Sequence, residues 1–347
     1  VKKLLEDKLG RAYEQEKSNN LFSFFTNVFL HDSTSLHLSD KLSGIFPGNV
    51  SKGKQKAVAR IQAIYNFKHN FFSCFKLTPY SKNDQSASPL ILRYIHIGDL
   101  VIRDLGFFAL DTFKKIAKRK AYFLSRIRYG INLYDPQTGT SIDLSKLLKK
   151  KINLDTEMLA GADQRLKVRI VVRLLPEHVA AERRRRARRD RDKRLNHNKQ
   201  YYYLLGFVIY ITNVTEAIWG ASDVEKAYRV RWQIEIIFKS WKSHFNIQRI
   251  IHSQCQNKAR VKCVIYLVLL FITLFQTKLY NYFKKRIREK YSQYISLLKL
   301  AKFVANHMEV VLERKSNELE KYILKYCCYE TRKDRVNIEQ AYDCSTC

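Results

Sequence analysis

Short apolar runs and longer amphipathic segments alternate along the chain, and this pattern predicts its elements. The apolar runs predict buried strands at 21–30, 57–67, 70–77, 100–103, 121–129, 166–175 and 201–212. The remaining periodic segments predict helices at 110–120, 228–245, 258–278, 280–290 and 292–329. This order predicts an α/β fold, in which a mixed sheet is flanked by helices and followed by further helices.

One predicted helix carries an unusual polar stripe, with the sequence YRVRWQIEIIFKSWK at residues 228–242. An α-helix turns by about 100° per residue, so four polar side chains are predicted to share one narrow line. These are Tyr228, Arg231, Glu235 and Lys242. Alternatively, Arg231, Glu235 and Lys239 form i,i+4 ion pairs on a solvent-exposed helix face.

Two aspartates follow predicted strands and can join Glu235. Asp32 comes after the run 21–30, and Asp104 comes directly after the run 100–103. If these strands are neighbours in a mixed sheet, both carboxylates meet at one edge, and the helix can bring Glu235 to them. Three carboxylates in one place repel one another unless cations lie between them, and a pair of Mg²⁺ ions is the natural occupant. Two such ions activate a water or a 3′-hydroxyl for phosphodiester chemistry.

Each aspartate also has a purely structural interpretation. Asp32 can cap a turn or helix, and Asp104 can be a turn residue. Other aspartates lie close to them in sequence and are alternative candidates, namely Asp40, Asp99 and Asp111.

The charge balance indicates a polyanionic partner. The chain of 347 residues has 64 Lys and Arg against 32 Asp and Glu, a formal net charge of +32. Such an excess favours nucleic acid, with an anionic membrane surface as the second choice. The run 182–199 contains the block Arg183, Arg184, Arg185 and Arg186, which is suited to phosphates. A solvated helix or loop is its alternative interpretation.

The cysteines and the apolar runs indicate the cellular compartment and whether the chain enters a membrane. The seven cysteines are scattered and odd in number, which fits reduced thiols in the cytoplasm. The CxxC of Cys344 and Cys347 stands alone and predicts no zinc site. The apolar run 264–275 is too short to span a bilayer and predicts a buried core helix, so no membrane partner is expected.

The stripe on the helix resembles a known signature. Tyr228, Arg231, Glu235 and Lys242 match in type and spacing the YREK signature of the insertion-sequence-four family of bacterial DDE transposases. The segments 32–34 and 98–108 resemble that family's first-aspartate and second-aspartate motifs.

The resemblance implies a fold and a domain order. The fold would be RNase H-like, with a mixed five-stranded sheet and flanking helices, interrupted by a β-rich insertion and followed by C-terminal helices. Residues 21–130 and 220–250 would form the catalytic core, 131–219 the insertion with the Arg-rich segment, and 251–347 the C-terminal helical region. Residues 1–20 would be a remnant of an N-terminal helical region, because family members commonly carry a longer DNA-end-recognising segment before the first aspartate.

The resemblance also implies roles for single residues. Asp32, Asp104 and Glu235 would be the catalytic residues and would bind two Mg²⁺ ions, with Mn²⁺ as a substitute. Tyr228, Arg231 and Lys242 would contact DNA phosphates. Trp219 or Trp232 would stack on a displaced base.

The implied activity is cleavage of double-stranded DNA at the ends of a mobile element, followed by strand transfer into target DNA. The expected assembly is a homodimer on paired ends, in the bacterial cytoplasm with the nucleoid. A truncated or decayed transposase that binds DNA without catalysis is the alternative. A nuclease of the same fold, which hydrolyses DNA without joining ends, is the third possibility.

Overall fold

The structure is a computed structural model that describes residues 1–9, 21–150, 153–190, 198–251 and 257–330. Its strands are β1 Val28–His37, β2 Pro47–Ser51, β3 Lys54–Asn66, β4 Phe71–Pro79, β5 Leu100–Arg103, β6 Tyr122–Arg126, β7 Leu133–Tyr134, β8 Ser141–Ile142, β9 Leu154–Ala160, β10 Leu166–Leu174 and β11 Phe207–Thr212. The CxxC at 344–347 and residues 191–197 of the basic run lie outside the described residues.

The helices lie on both sides of these strands in sequence. They are α1 Lys2–Lys8, α2 Asp84–Ala87, α3 Leu110–Lys118, α4 Leu144–Lys150, α5 Glu177–Arg188, α6 Lys199–Leu204, α7 Ala221–Arg229, α8 Trp232–Ser243, α9 Ile247–Ile250, α10 Lys258–Leu274, α11 Asn281–Tyr291, α12 Leu297–Asn306, α13 Met308–Glu313 and α14 Ser316–Cys327. The mixture of strands and helices confirms the α/β class.

The chain forms two compact units, Val1–Ala87 with Val230–Cys347, and Ser88–Arg229. The first is called the terminal unit below and the second the central unit. These units follow different bounds from the predicted domains, because the C-terminal helices share a unit with β1–β4. The predicted domain bounds therefore stay a prediction.

The terminal unit contains an antiparallel sheet centred on β3. Strand β3 pairs with β1, with β4 and, through its first residues, with β2. The two apolar runs 57–67 and 70–77 were predicted as strands, and the structure pairs them as the β3–β4 hairpin. Helix α8 packs on this sheet through Trp241, whose ring centroid lies 5.6 Å from that of Phe72 and 5.8 Å from that of Phe75. Burial of these rings fixes the helix that carries Glu235.

The central unit contains a mixed sheet. Strands β5 and β6 are parallel and are joined by α3, whose Phe113 stacks on Phe123 of β6 at 4.5 Å between centroids. A parallel pair needs such a crossover, and a helix is the usual connection. Strand β6 then pairs antiparallel with β11, and the antiparallel order continues through β10, β9, β7 and β8.

Two predicted strands have different bounds in the structure. Residues 21–24 form a turn, and β1 instead runs through the polar cluster, so that Asp32 lies inside a strand and faces Ala63 of β3 in register. Backbone pairing with β3 continues whatever the side chains are, which explains why the polar positions remain extended. The predicted strand 201–212 begins only at Phe207, because Lys199–Leu204 form a helix capped by the Asn198 side chain.

The predicted helix 228–245 is interrupted. Helix α7 ends at Arg229 and α8 begins at Trp232, and the amide of Gln233 donates to the carbonyl of Val230 in an i,i+3 bond. The prediction of one continuous helix was therefore wrong. Tyr228 lies on α7 and belongs to the central unit, whereas Arg231, Glu235 and Lys242 belong to the terminal unit.

The predicted core helix after residue 258 is longer than expected. Helix α10, a π-helical segment Phe275–Tyr280 and α11 continue without a break from Lys258 to Tyr291. By length and composition this stretch can cross a membrane, with a mean hydropathy of 1.8 in its most apolar window. Half of that window is buried inside the protein, and the core helix of a soluble protein can be as long and as apolar. Its neighbours within the terminal unit include α1, α9 and β4.

A buried carboxylate joins two C-terminal helices. Glu320 on α14 accepts hydrogen bonds from Arg286 Nε, from Lys290 Nζ at 2.8 Å and from the Tyr291 hydroxyl at 2.8 Å. These donors lower the pKa of Glu320 to about 2, with the Lys290 hydrogen bond as the largest cause.

Replacing Glu320 with glutamine is expected to lower the free energy of unfolding at pH 7 by about 1–3 kcal/mol. Because the folded-state pKa lies below the ordinary value of 4.5, the stabilisation is present above pH 4.5 and is lost as the pH falls towards 2. Urea unfolding at pH 7 and at pH 3 measures the effect. The exposed Glu309→Gln is the control, and an equal difference between Glu320→Gln and wild type at both pH values contradicts the assignment.

Candidate active site

Two of the three predicted catalytic carboxylates line one cavity of the terminal unit. The cavity has a volume of about 470 Å³. Its lining residues come from β1 and α8: Asp32, Ser33, Thr34, Glu235, Phe238, Lys239, Lys242 and Ser243. The structure therefore brings Asp32 and Glu235 together with two lysines, although they are far apart in sequence.

Glu235 lies in the first turn of α8, where the helix dipole favours a negative charge. Its carboxylate accepts a hydrogen bond from Arg231 Nη1, and the Arg231 side chain is only 7% exposed. The predicted ion pair between Arg231 and Glu235 is thus present, with a buried guanidinium and a carboxylate whose side chain is 36% exposed. A contact of Arg231 with a DNA phosphate stays a prediction.

Asp32 is held by its own strand. The amide of Ser33 donates to Asp32 Oδ1 at 2.7 Å, and the Ser33 hydroxyl donates to Asp84 Oδ1 at 2.7 Å. Asp84 also pairs with the buried Arg60 at 2.9 Å. Asp84 was not among the aspartates predicted from the sequence to belong to the site.

Asp104 lies directly after β5 in the central unit, as predicted. It precedes the 3₁₀ turn Leu105–Phe107, and its Oδ1 lies 3.5 Å from Arg126 Nη2. The preceding residue, Arg103, is fully buried, and burial lowers its pKa to about 9. A fully buried guanidinium beside the predicted catalytic residue indicates that this turn is tightly held.

Tyr228 is buried in the central unit, where only 6% of it is exposed. Its ring centroid lies 5.3 Å from that of Tyr210, and the Arg126 guanidinium lies 5.8 Å above the Tyr228 ring. Burial raises the pKa of Tyr210 to about 12, so its hydroxyl stays protonated. Contact of Tyr228 with DNA requires a change from this buried position.

The two candidate tryptophans differ in exposure. Trp219 is 2% exposed, and its carbonyl accepts a hydrogen bond from Arg169 at 2.7 Å, so it is a core residue of the central unit. This position does not fit stacking on a displaced base. Trp232 is 54% exposed, lies 4.9 Å from the Arg231 guanidinium and is three residues from Glu235. Trp232 is therefore the better candidate for stacking.

The arginine block divides into an anchored pair and an exposed pair. Arg183 donates to the Phe207 carbonyl and Arg184 to the Tyr202 carbonyl, which ties α5 to β11 and α6. Burial lowers the pKa of Arg183, and the nearby Arg126 adds to this effect. Arg185 and Arg186 are exposed and pair with Glu182. The second pair is the more exposed, since the Arg185 and Arg186 side chains are 59% and 79% exposed and that of Arg184 is 27% exposed.

The donor set of the cavity suits a hard divalent cation, since Asp32 and Glu235 offer carboxylate oxygens. Across the described ranges, no group of three His, Cys, Asp or Glu side chains could hold a metal ion by itself. Among the described residues, Cys263, Cys327 and Cys328 are free cysteines. The reduced state of the cysteines stays a prediction.

Comparison with known proteins identifies the family. The family described as "Transposase DDE domain" matches residues 23–274, well over half of the chain. The chain belongs to this family. It is a DDE transposase of a bacterial mobile element and acts in DNA transposition, as the resemblance implied.

Relatives of this transposase are themselves insertion-sequence transposases. It is 26% identical to the transposase for IS231B of Bacillus thuringiensis subsp. berliner over 89% of this chain and 68% of that protein. It is 29% identical to the transposase for IS1151 of Clostridium perfringens over 74% of this chain and 58% of that protein. The chain thus spans about two thirds or less of these relatives.

One solved structure is also similar, that of the piggyBac transposase synaptic complex with hairpin DNA. The TM-score is 0.45 with 8% sequence identity, over 89% of this chain and 59% of that one. A TM-score this low does not establish a common fold.

Proposed function

We propose that this transposase cleaves double-stranded DNA at the ends of its mobile element and transfers the strands into target DNA, with two Mg²⁺ ions held by Asp32, Asp104 and Glu235. The proposal includes an RNase H-like core and a homodimer on paired DNA ends, with Mn²⁺ as a substitute metal. The observation that carries it is the cavity in which Asp32 and Glu235 lie beside Lys239 and Lys242.

The charges around the cavity support this chemistry. The carboxylates of Asp32 and Glu235 are suited to divalent cations, and the ammonium groups of Lys239 and Lys242 are suited to the phosphates of DNA. Bound divalent ions would activate a water or a 3′-hydroxyl and stabilise the leaving oxygen. In the proposal, Asp104 adds the third carboxylate, and Lys242 holds a phosphate close to the bond that breaks.

In this proposal Arg231 orients the carboxylate of Glu235. Its buried guanidinium contacts the Glu235 carboxylate, so it fixes the orientation of the group that would bind metal. A preorganised ligand loses less conformational entropy when a cation binds.

The proposed function is tested with DNA that carries the terminal sequences of the element. With Mg²⁺ or Mn²⁺ we expect nicking at the element ends and joining of the 3′ ends to target DNA, and chelation with EDTA should stop both. Hydrolysis without joining would favour a nuclease. Steeply salt-dependent binding with no cleavage under any metal condition would favour the non-catalytic alternative.

The exposed arginines provide a separate test of DNA binding. Changing both Arg185 and Arg186 to glutamine is expected to lower DNA affinity and to reduce the slope of log K against log salt by about 1.8, since each lost phosphate contact contributes about 0.9. Fluorescence anisotropy over a salt series measures this slope. Arg183→Gln is the matched comparison, because it removes an anchored arginine and should lower the thermal stability instead. An unchanged slope in the double variant would show that Arg185 and Arg186 of α5 do not contact DNA phosphates.

A further inference from the structure

Two hydrogen-bond networks, one within each unit, hold the residues next to Asp32 and Asp104. Both networks start from the same short stretch of sequence, Asp84–Ser88. The first network reaches the cavity through Ser33, which lines it beside Asp32. Neither network was visible in the sequence pattern.

The first network lies in the terminal unit. Asp84 Oδ1 accepts hydrogen bonds from the Ser33 hydroxyl at 2.7 Å, from Arg60 Nη1 at 2.9 Å and from Gln62 Nε2 at 3.2 Å. Arg60 and Gln62 are buried on β3, the strand that pairs with β1. The Ser33 amide in turn donates to Asp32 Oδ1 at 2.7 Å. Asp84 therefore holds the residue that orients the Asp32 carboxylate.

The second network lies in the central unit. Arg103 donates from Nη1 to the Ser88 hydroxyl oxygen at 2.5 Å and from Nη2 to the Ser88 carbonyl at 2.6 Å. The Ser88 hydroxyl donates to the Phe107 carbonyl at 2.9 Å. Arg103 precedes Asp104, and Phe107 ends the turn that follows it. Ser88 is thus hydrogen-bonded both to the residue before Asp104 and to the third residue after it.

Forming the second network costs desolvation free energy, which indicates a role beyond packing. Ser88 and Arg103 are both fully buried, and moving a guanidinium out of water carries a large desolvation penalty. An apolar side chain of similar volume could fill the same space without that penalty. The polar pair does provide a single fixed geometry for the turn that contains Asp104.

We propose that Asp84 and Ser88 are positioning residues for DNA cleavage, which set Asp32 and Asp104 from one five-residue stretch of the chain. The inference rests on the proposed function, because it takes Asp32 and Asp104 as metal-binding residues. Groups that orient metal ligands commonly matter nearly as much as the ligands themselves.

The experiment compares Asp84→Ala, Asp84→Asn and Ser88→Ala with Ser86→Ala as the control. Ser86 lies in the same stretch but is exposed, and its hydroxyl donates to the nearby Asn83 carbonyl. For each variant the thermal unfolding midpoint, the affinity for Mn²⁺ by titration calorimetry and the single-turnover cleavage rate are measured. Mn²⁺ alone is the probe in the calorimetry.

Asp84→Ala and Ser88→Ala are expected to lose about 10- to 100-fold in cleavage rate and in Mn²⁺ affinity. Asp84→Asn keeps one acceptor oxygen, so its loss should be smaller than that of Asp84→Ala. Ser86→Ala should match wild type in all three measurements.

Wild-type cleavage and Mn²⁺ affinity in folded Asp84→Ala and Ser88→Ala overturn the inference, even if their unfolding midpoints fall. If Ser88→Ala does not fold, the cleavage rates and Mn²⁺ affinities of Asp84→Asn and Ser33→Ala test the inference through the first network. Asp32→Asn and Asp104→Asn separate the two claims. If both cleave like wild type, the proposed function fails; if both are inactive while the Asp84 and Ser88 variants behave as wild type, only the positioning role fails.

Discussion

Replacing Glu235 with glutamine is expected to lower the rate of metal-dependent DNA cleavage by about 10³-fold, which corresponds to about 4 kcal/mol of transition-state stabilisation. Glutamine keeps the size of the side chain and one acceptor oxygen for Arg231, so the buried guanidinium remains bonded and the fold should persist. It removes the negative charge that a divalent cation requires. Single-turnover cleavage, with circular dichroism to confirm folding, measures the effect.

The matched control is Glu225→Gln on α7. Glu225 also pairs with an arginine four residues away, Arg229, at 2.8 Å, but it lies outside the cavity. Its variant should cleave at the wild-type rate. Equal rates for Glu235→Gln and wild type would show that Glu235 acts only as an ion-pair partner on the helix.

Replacing Trp241 with alanine is expected to lower the free energy of unfolding by about 3–5 kcal/mol. Trp241 is 1% exposed, and its ring contacts those of Phe72, Phe75 and Phe238 at centroid distances of 5.6, 5.8 and 4.9 Å. The substitution leaves a cavity between α8 and β4. Because α8 carries Glu235, folded molecules of this variant should also cleave more slowly.

Trp232→Ala provides the control for stability, since it removes the same side chain from the same helix at an exposed position. Its free energy of unfolding should change by less than about 1 kcal/mol. The free energy of unfolding of Trp241→Phe should lie between those of Trp241→Ala and wild type. Similar denaturation midpoints for Trp241→Ala and Trp232→Ala would contradict the packing described for α8.

The sequence pattern predicted those parts of the site that local chemistry determines. The run Leu100–Arg103 is short, apolar and followed by Asp104, and the structure has strand and aspartate at these positions. The two strands of the β3–β4 hairpin correspond to predicted strands at two apolar runs, which polar residues separate. Arg231, Glu235 and Lys242 lie on or next to α8, and Glu235 and Lys242 line the same cavity.

The break between α7 and α8 could not be predicted in this way. Residues 221–243 contain no proline and no glycine, so no local signal marks Val230 and Arg231 as the point where the helix ends. Tyr228 therefore belonged to the predicted stripe, although it is buried against Tyr210 in the central unit. Tertiary packing, not helix propensity, decides the outcome here.

The networks around the aspartates were missed for a related reason. Asp84 bonds to Ser33 across 51 residues of sequence, and Ser88 bonds to Arg103 across 15. Such partners have no periodicity, so only the fold brings them together. Trp219 illustrates the same limit, since its burial follows from the packing of the central unit and has no local sign.

Asp32, Asp104 and Glu235 are expected to bind the same divalent cations when DNA is present. Crystals of the transposase grown with element-end DNA and Mn²⁺ test this claim through the anomalous scattering of the metal. Two Mn²⁺ ions are expected, bound by carboxylate oxygens of all three residues. Mn²⁺ bound elsewhere, with the three carboxylates holding no shared ion, would contradict it.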